Sequence, residues 1–208
     1  MRNPSLYRIG GSALALGAVL FGVGVMLHAP QPMDLTSYLA TSHGQWMVSH
    51  WMLAASQLFL VGGSLALARH LFGTNGDGWA TLGLAGSLVT GALFVGVIAP
   101  EIVAFQILAD QGTDAGVQHA YAAVSATLIS QVHVGIVLFW FGMGSFGMAM
   151  LRDTAFPRWL GQAGIALAMI EIVANFMSLG TTGSHLIILV GAIWLAYAGY
   201  TLSKVKAA

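Results

Sequence analysis

Cysteine is absent from all 208 residues. That excludes disulfides, Cys-ligated zinc, iron–sulfur clusters and thiol catalysis, and it removes cysteine as a guide to redox compartment. Charge is scarce too. Only 7% of residues are Asp, Glu, Lys or Arg, where a soluble domain carries about 25%. A surface so poor in charge cannot stay dissolved in water, so most of it must face lipid. The formal net charge is zero and no basic run occurs, which argues against a nucleic-acid partner. No HExxH, Gly-x-Ser-x-Gly or phosphate loop is present, so no catalytic residue is nominated.

What is abundant is apolar: 57% of the chain. Six apolar stretches stand out, at about 9–28, 47–68, 79–99, 129–150, 159–179 and 184–203. Each is near the ~20 residues needed to cross the ~30 Å hydrocarbon layer. Pro4, Pro30, Pro32 and Pro100 fall outside these limits, and Pro157 sits just before the fifth stretch, where proline suits a helix start. The expected fold is all-α: one transmembrane domain over 1–208, a bundle of six spans. Leu27-His28-Ala29-Pro30 is a poor cleavage site, so the first span is expected to be a retained helix and not a signal peptide.

Orientation follows from the basic residues. With the N-terminus inside, Arg2, Arg8, Arg69, Arg152, Arg158, Lys204 and Lys206 all fall on the cytoplasmic side, as the positive-inside rule demands. Both termini are thus expected inside, in a cytoplasmic membrane. Asp34, Glu101, Asp110 and Asp114 fall outside. The stretch Glu101 to Leu108 is amphipathic and is expected to lie flat on the outer surface. Helical propensity runs from Val117 to Met150, which predicts a fourth helix projecting outward.

Polar residues inside the spans are few. His43, His50, Gln57 and Ser64 recur every seven residues. A heptad drifts by only ~20° on a helix, so they share one face. Lipid would reject that face, which should point into the bundle. Ser130 and His133 stand one turn apart on the fourth span. Glu171 and Asn175, at i and i+4, share a face of the fifth. Glu171 reads as the only acid within any span. A carboxylate at membrane depth costs at least ~2.5–3.5 kcal/mol, so it must be protonated, paired or bound to a cation.

These residues are expected to meet in the outer half of the bundle. A structural network of hydrogen bonds between helices is one reading. Three chemistries would also use them. Haem b, clamped by His50 and His133, is the first. A transition metal held by His50, His133 and Glu171, with His185 at the lip, is the second. Proton or solute movement through Glu171 is the third. Gln57, Ser130 and Asn175 would complete the polar network. The leading expectation is haem or metal binding for electron transfer or sensing. The alternatives are a small proton-coupled carrier, or a non-catalytic accessory subunit whose glycine-rich faces contact other membrane subunits or a second copy.

One segment resembles a known family. It reads His133, Gly135, Leu138-Phe139-Trp140-Phe141-Gly142, then Leu151-Arg152, then Phe156-Pro157-Arg158-Trp159-Leu160-Gly161. This resembles a broad family of small bacterial membrane proteins grouped as a domain of unknown function, over about residues 133–161. Phe156 and Trp140 depart from the Leu and Phe usual there. The resemblance implies a six-helix architecture and a bacterial cytoplasmic membrane. It implies no activity and transfers no site residue.

Overall fold

A chain whose apolar runs must satisfy every backbone polar group without water has one economical answer, the α-helix. The computed structural model describes residues 4–28, 32, 34–41, 43–177 and 181–205, with the side chains of 43 and 181–185 left out. Among the described residues there are seven helices and no strand. They are α1 (Pro4–Leu27), α2 (Leu35–Ala40), α3 (His43–Leu71), α4 (Asp77–Asp110), α5 (Ala115–Met150), α6 (Arg158–Phe176) and α7 (Thr181–Ser203). All but the short α2 are long and apolar enough to cross a membrane. The six-helix bundle expected from the sequence is the observed fold.

The six long helices form a closed ring. Helix α1 packs on α3 and α7, α3 on α4, α4 on α5, α5 on α6, and α6 on α7. Small residues set the spacing. A Cβ built on Gly86 would lie 2.8 Å from the Cα of Gly142, and one on Gly147 would lie 2.7 Å from the carbonyl oxygen of Gly161. The α4–α5 and α5–α6 backbones therefore approach as only glycine permits. Phe21 of α1 meets Phe139 of α5 across the ring, with ring centroids 5.7 Å apart. These two join a core that includes Leu14, Leu60, Leu67, Met143 and Phe146.

Arg8, Arg69, Arg152, Arg158 and Lys204 lie near one end of the ring, and Asp34, Asp110 and Asp114 lie at the other. At the acidic end a second cluster gathers Leu35, Tyr38, Trp46, Val97, Phe105, Tyr121 and Leu128. Here α2 lies against α4 and α5. Asp34 caps α2 by accepting from the Ser37 amide at 2.8 Å. Leu35 N–H donates to Gln118 Oε1, and the Tyr121 hydroxyl donates to the Pro32 carbonyl.

Three expectations need correction. Pro100 is not outside the third span but inside α4. It removes one backbone donor, that which would reach the Gly96 carbonyl, and the helix continues through it. Residues Glu101 to Leu108 therefore extend α4 along the bundle and do not form a separate surface helix. Glu101 is 5% exposed, so Glu171 is not the only buried acid on a long helix. Helix α5 starts at Ala115, so the helical run expected over Val117–Met150 is one continuous element. With 34 and 36 residues, α4 and α5 run about 51 and 54 Å at ~1.5 Å per residue. Both exceed a hydrocarbon layer of ~30 Å by roughly 20 Å.

Candidate metal centre

The inward stripe of α3 is real where it is described. His50, Gln57 and Ser64 are all buried. The His43 side chain lies outside the described residues. What faces His50 differs from expectation. Its Nε2 lies 3.0 Å from Glu101 Oε2 on α4. The His28 ring, just past the end of α1, lies beside it with centroids 4.8 Å apart. One ligand atom from each of His28, His50 and Glu101 falls within 4.8 Å of the others. It is the one such trio of histidines and acids among the described residues.

The groups around these donors set how they present themselves. His50 Nδ1 lies 2.7 Å from the Trp46 carbonyl oxygen, one turn back. A carbonyl only accepts, so Nδ1 carries the proton and Nε2 turns its other valence to Glu101. At 3.0 Å, Nε2 and Oε2 are a hydrogen-bonded pair sharing one proton; a metal ion would take that proton's place, bound beside both atoms. Histidine ligands to metals have this same support, a ring N–H given to a carbonyl or carboxylate. Ser49 Oγ also donates to the Trp46 carbonyl, at 2.9 Å. Trp46 serves twice more. Its ring stacks on the His50 imidazole at 4.1 Å between centroids. Its Nε1 donates to the backbone carbonyl of Glu101 at 3.3 Å. One indole thus fixes both the ring and the backbone that carry two of the three donors.

Aromatic rings pack behind Trp46. Tyr38, Phe105 and Tyr121 pack edge and face against Trp46 and one another. Burial, and next the nearby Asp110 carboxylate, push the Tyr38 hydroxyl above its ordinary range. A groove of about 310 Å³, lined by Tyr38, Leu39, Thr41, Trp46 and Gln106, opens beside these rings.

Two imidazoles and a carboxylate suit zinc, iron or manganese. Ligand bonds of about 2.0–2.2 Å put donor atoms roughly 3.4 Å apart around a tetrahedral ion. The 3.0 Å pair needs to open by about 0.4 Å to reach that spacing, and within the 4.8 Å limit the third donor needs to close by little more than about 1 Å.

The other expected site residues stand elsewhere. His133 is exposed on α5 and donates from Nδ1 to the Ile129 carbonyl at 2.8 Å. Ser130 is exposed and donates to the Ala126 carbonyl. Glu171 is 1% exposed on α6, with no hydrogen-bond partner for Oε1 among the described residues. Asn175 is half-buried one turn on. Gln57 donates to Ser56 Oγ at 3.3 Å. The His185 side chain lies outside the described residues. Counted from the basic-end helix termini at ~1.5 Å per residue, Glu171 stands about 20 Å along the bundle, and His28, His50 and Glu101 about 32–36 Å. The single constellation read from the sequence is thus two tiers. The missed members are His28 and Glu101. Glu101 had a signal: Ile98, Glu101 and Phe105, at i, i+3 and i+7, keep to one buried face through Pro100.

Comparison with family models, curated proteins and solved structures finds no match to this chain.

Proposed function

We propose that this multi-pass protein of a bacterial cytoplasmic membrane holds one divalent transition-metal ion at its outer end, through His28, His50 and Glu101. The observation that carries the reading is the convergence of three donor atoms from three separate chain segments within 4.8 Å. The acidic end faces outward in this reading, because the basic residues gather at the other. A single ion suits the donors better than haem. The Nε2 of His50 is turned to a carboxylate 3.0 Å away, and His133 is exposed on α5. Three protein donors leave coordination positions for water or a small ligand. That suits sensing or one-electron exchange at the outer surface.

The test is metal analysis of purified protein, stripped with chelator and reloaded with zinc, iron(II) or manganese(II). One bound ion per chain is expected, with the Glu101→Gln and His50→Ala variants binding none. Absence of stoichiometric metal in the wild type, or its retention in both variants, would refute the reading.

A second reading rests on Glu171. A buried carboxyl whose Oε1 lacks a partner among the described residues is what a proton-coupled carrier needs. It predicts that Glu171→Gln abolishes solute movement in vesicles while the metal stoichiometry stays intact.

A further inference from the structure

At the basic end a cleft of about 540 Å³ opens between three chain segments. Thr74 contributes from the α3–α4 connection, Arg152, Asp153 and Thr154 from the α5–α6 connection, and Thr201 and Lys204 from the end of α7. Two cations and one carboxylate line it. The carboxylate is already engaged. Asp153 Oδ1 accepts from the Ala155 amide at 2.7 Å, and Oδ2 lies 3.3 Å from His70 Nε2. Neither Arg152 nor Lys204 has an acidic partner among the described residues. The lining therefore carries two positive charges and one carboxylate, a net positive charge, with neither cation paired to the carboxylate.

Aromatic rings underlie both cations. The Arg152 guanidinium sits 5.9 Å from the Trp79 ring centre, and Lys204 Nζ 5.2 Å from that of Tyr200. Trp and Tyr with Arg and Lys mark the headgroup level of a membrane. A guanidinium offers a planar fork to phosphate oxygens, and an ammonium adds a point charge. Basic pockets between spans at the cytoplasmic side recognise lipid phosphates in this way.

We propose that this cleft is a phosphate-binding site, filled by the headgroup of an anionic phospholipid or by a soluble phosphate ester. The site lies at the far end of the bundle from the metal centre and does not depend on it.

Full-length protein is tested in two arms. In the first, native mass spectrometry counts phosphatidylglycerol and phosphatidylcholine retained by protein released from mixed nanodiscs. In the second, inorganic phosphate is titrated calorimetrically into protein in zwitterionic micelles. Each cation near an anionic headgroup contributes about 1 kcal/mol, so losing both in Arg152→Gln/Lys204→Gln is expected to weaken binding roughly thirtyfold. Retained phosphatidylglycerol with no response to phosphate identifies a lipid ligand. Phosphate binding that also displaces the lipid identifies a soluble one. Failure of wild type to bind either, or equal binding by the double variant, overturns the proposal. Helical circular dichroism checks the fold, and the exposed Lys204→Gln change alone, expected to weaken binding about fivefold, decides the matter if the double variant fails to fold.

Discussion

Replacing Glu101 by leucine isolates the His50–Glu101 contact from everything around it. The Trp46 Nε1 bond goes to the backbone carbonyl of Glu101 and survives the change. What is lost is the partner of His50 Nε2, 3.0 Å away, on a histidine with 0% exposure. Leaving one buried polar group unpaired costs about 1–3 kcal/mol, and the added apolar contact offsets part of it. We expect Glu101→Leu to destabilise by about 1–2 kcal/mol. His50→Leu should cost as much, since it strands a carboxyl that is 5% exposed; the Trp46 carbonyl keeps its bond from Ser49. The double leucine variant strands neither group, and replacing both partners by apolar groups of similar shape is nearly neutral. The singles should therefore sum to more than the double. With singles of about 1–2 kcal/mol each and a double near zero, the expected coupling is about 2–4 kcal/mol, above the ~1.7 kcal/mol maximum found for hydrogen bonds between membrane helices, because each single change strands a different buried group. Reversible unfolding in mixed micelles measures it, with chelator present so that bound metal adds nothing. Additivity within ~0.5 kcal/mol would refute the pairing.

Four further outcomes follow from the same geometry. Trp46→Phe keeps the stacking but loses the Nε1 donor to Glu101, and metal affinity should fall about 10–100-fold in a competition assay, as for other outer-shell changes. Gly147→Ala builds a Cβ 2.7 Å from the Gly161 carbonyl oxygen, so unfolding in micelles should show a loss of about 1–3 kcal/mol from overpacking. Glu171→Met removes an unpartnered Oε1 at similar volume, and should leave stability unchanged or raise it by up to about 3 kcal/mol. Asp34 holds its carboxyl below the usual range because the Ser37 amide donates to it. That contribution is complete above the unfolded-state pKa and fades as pH falls through the lower folded value, so the protection factor of the Ser37 amide, measured against its intrinsic exchange rate, should fall in acid, and Asp34→Ala should abolish that pH dependence of protection.

The fold was legible because lipid imposes a simple rule. Twenty apolar residues in a row, bounded by polar turns, have one satisfactory conformation, and the helix count followed. The burial of His50, Gln57 and Ser64 was legible for the same reason: a heptad of polar residues cannot face acyl chains. The site was less so. Proline costs a hydrogen bond in a helix, so Pro100 reads as a boundary, yet one missing donor does not stop α4. A boundary there puts Glu101 in a loop, away from His50. His28 follows its apolar run and keeps no spacing with another polar residue. His133 has a readable depth but no readable direction. Depth follows from counting along a helix; direction depends on which neighbours pack around it, and the ring order of the helices is a tertiary property.

The excess length of α4 and α5 has a bearing on supply. In the orientation and metal reading proposed above, Glu101 would stand where α4 leaves a hydrocarbon layer of ~30 Å, since it lies about 36 Å along the helix from the basic end at ~1.5 Å per residue. An ion bound there would exchange with the compartment outside the cell, so a chelator unable to permeate membranes is expected to strip it from intact cells while leaving cytoplasmic metal untouched.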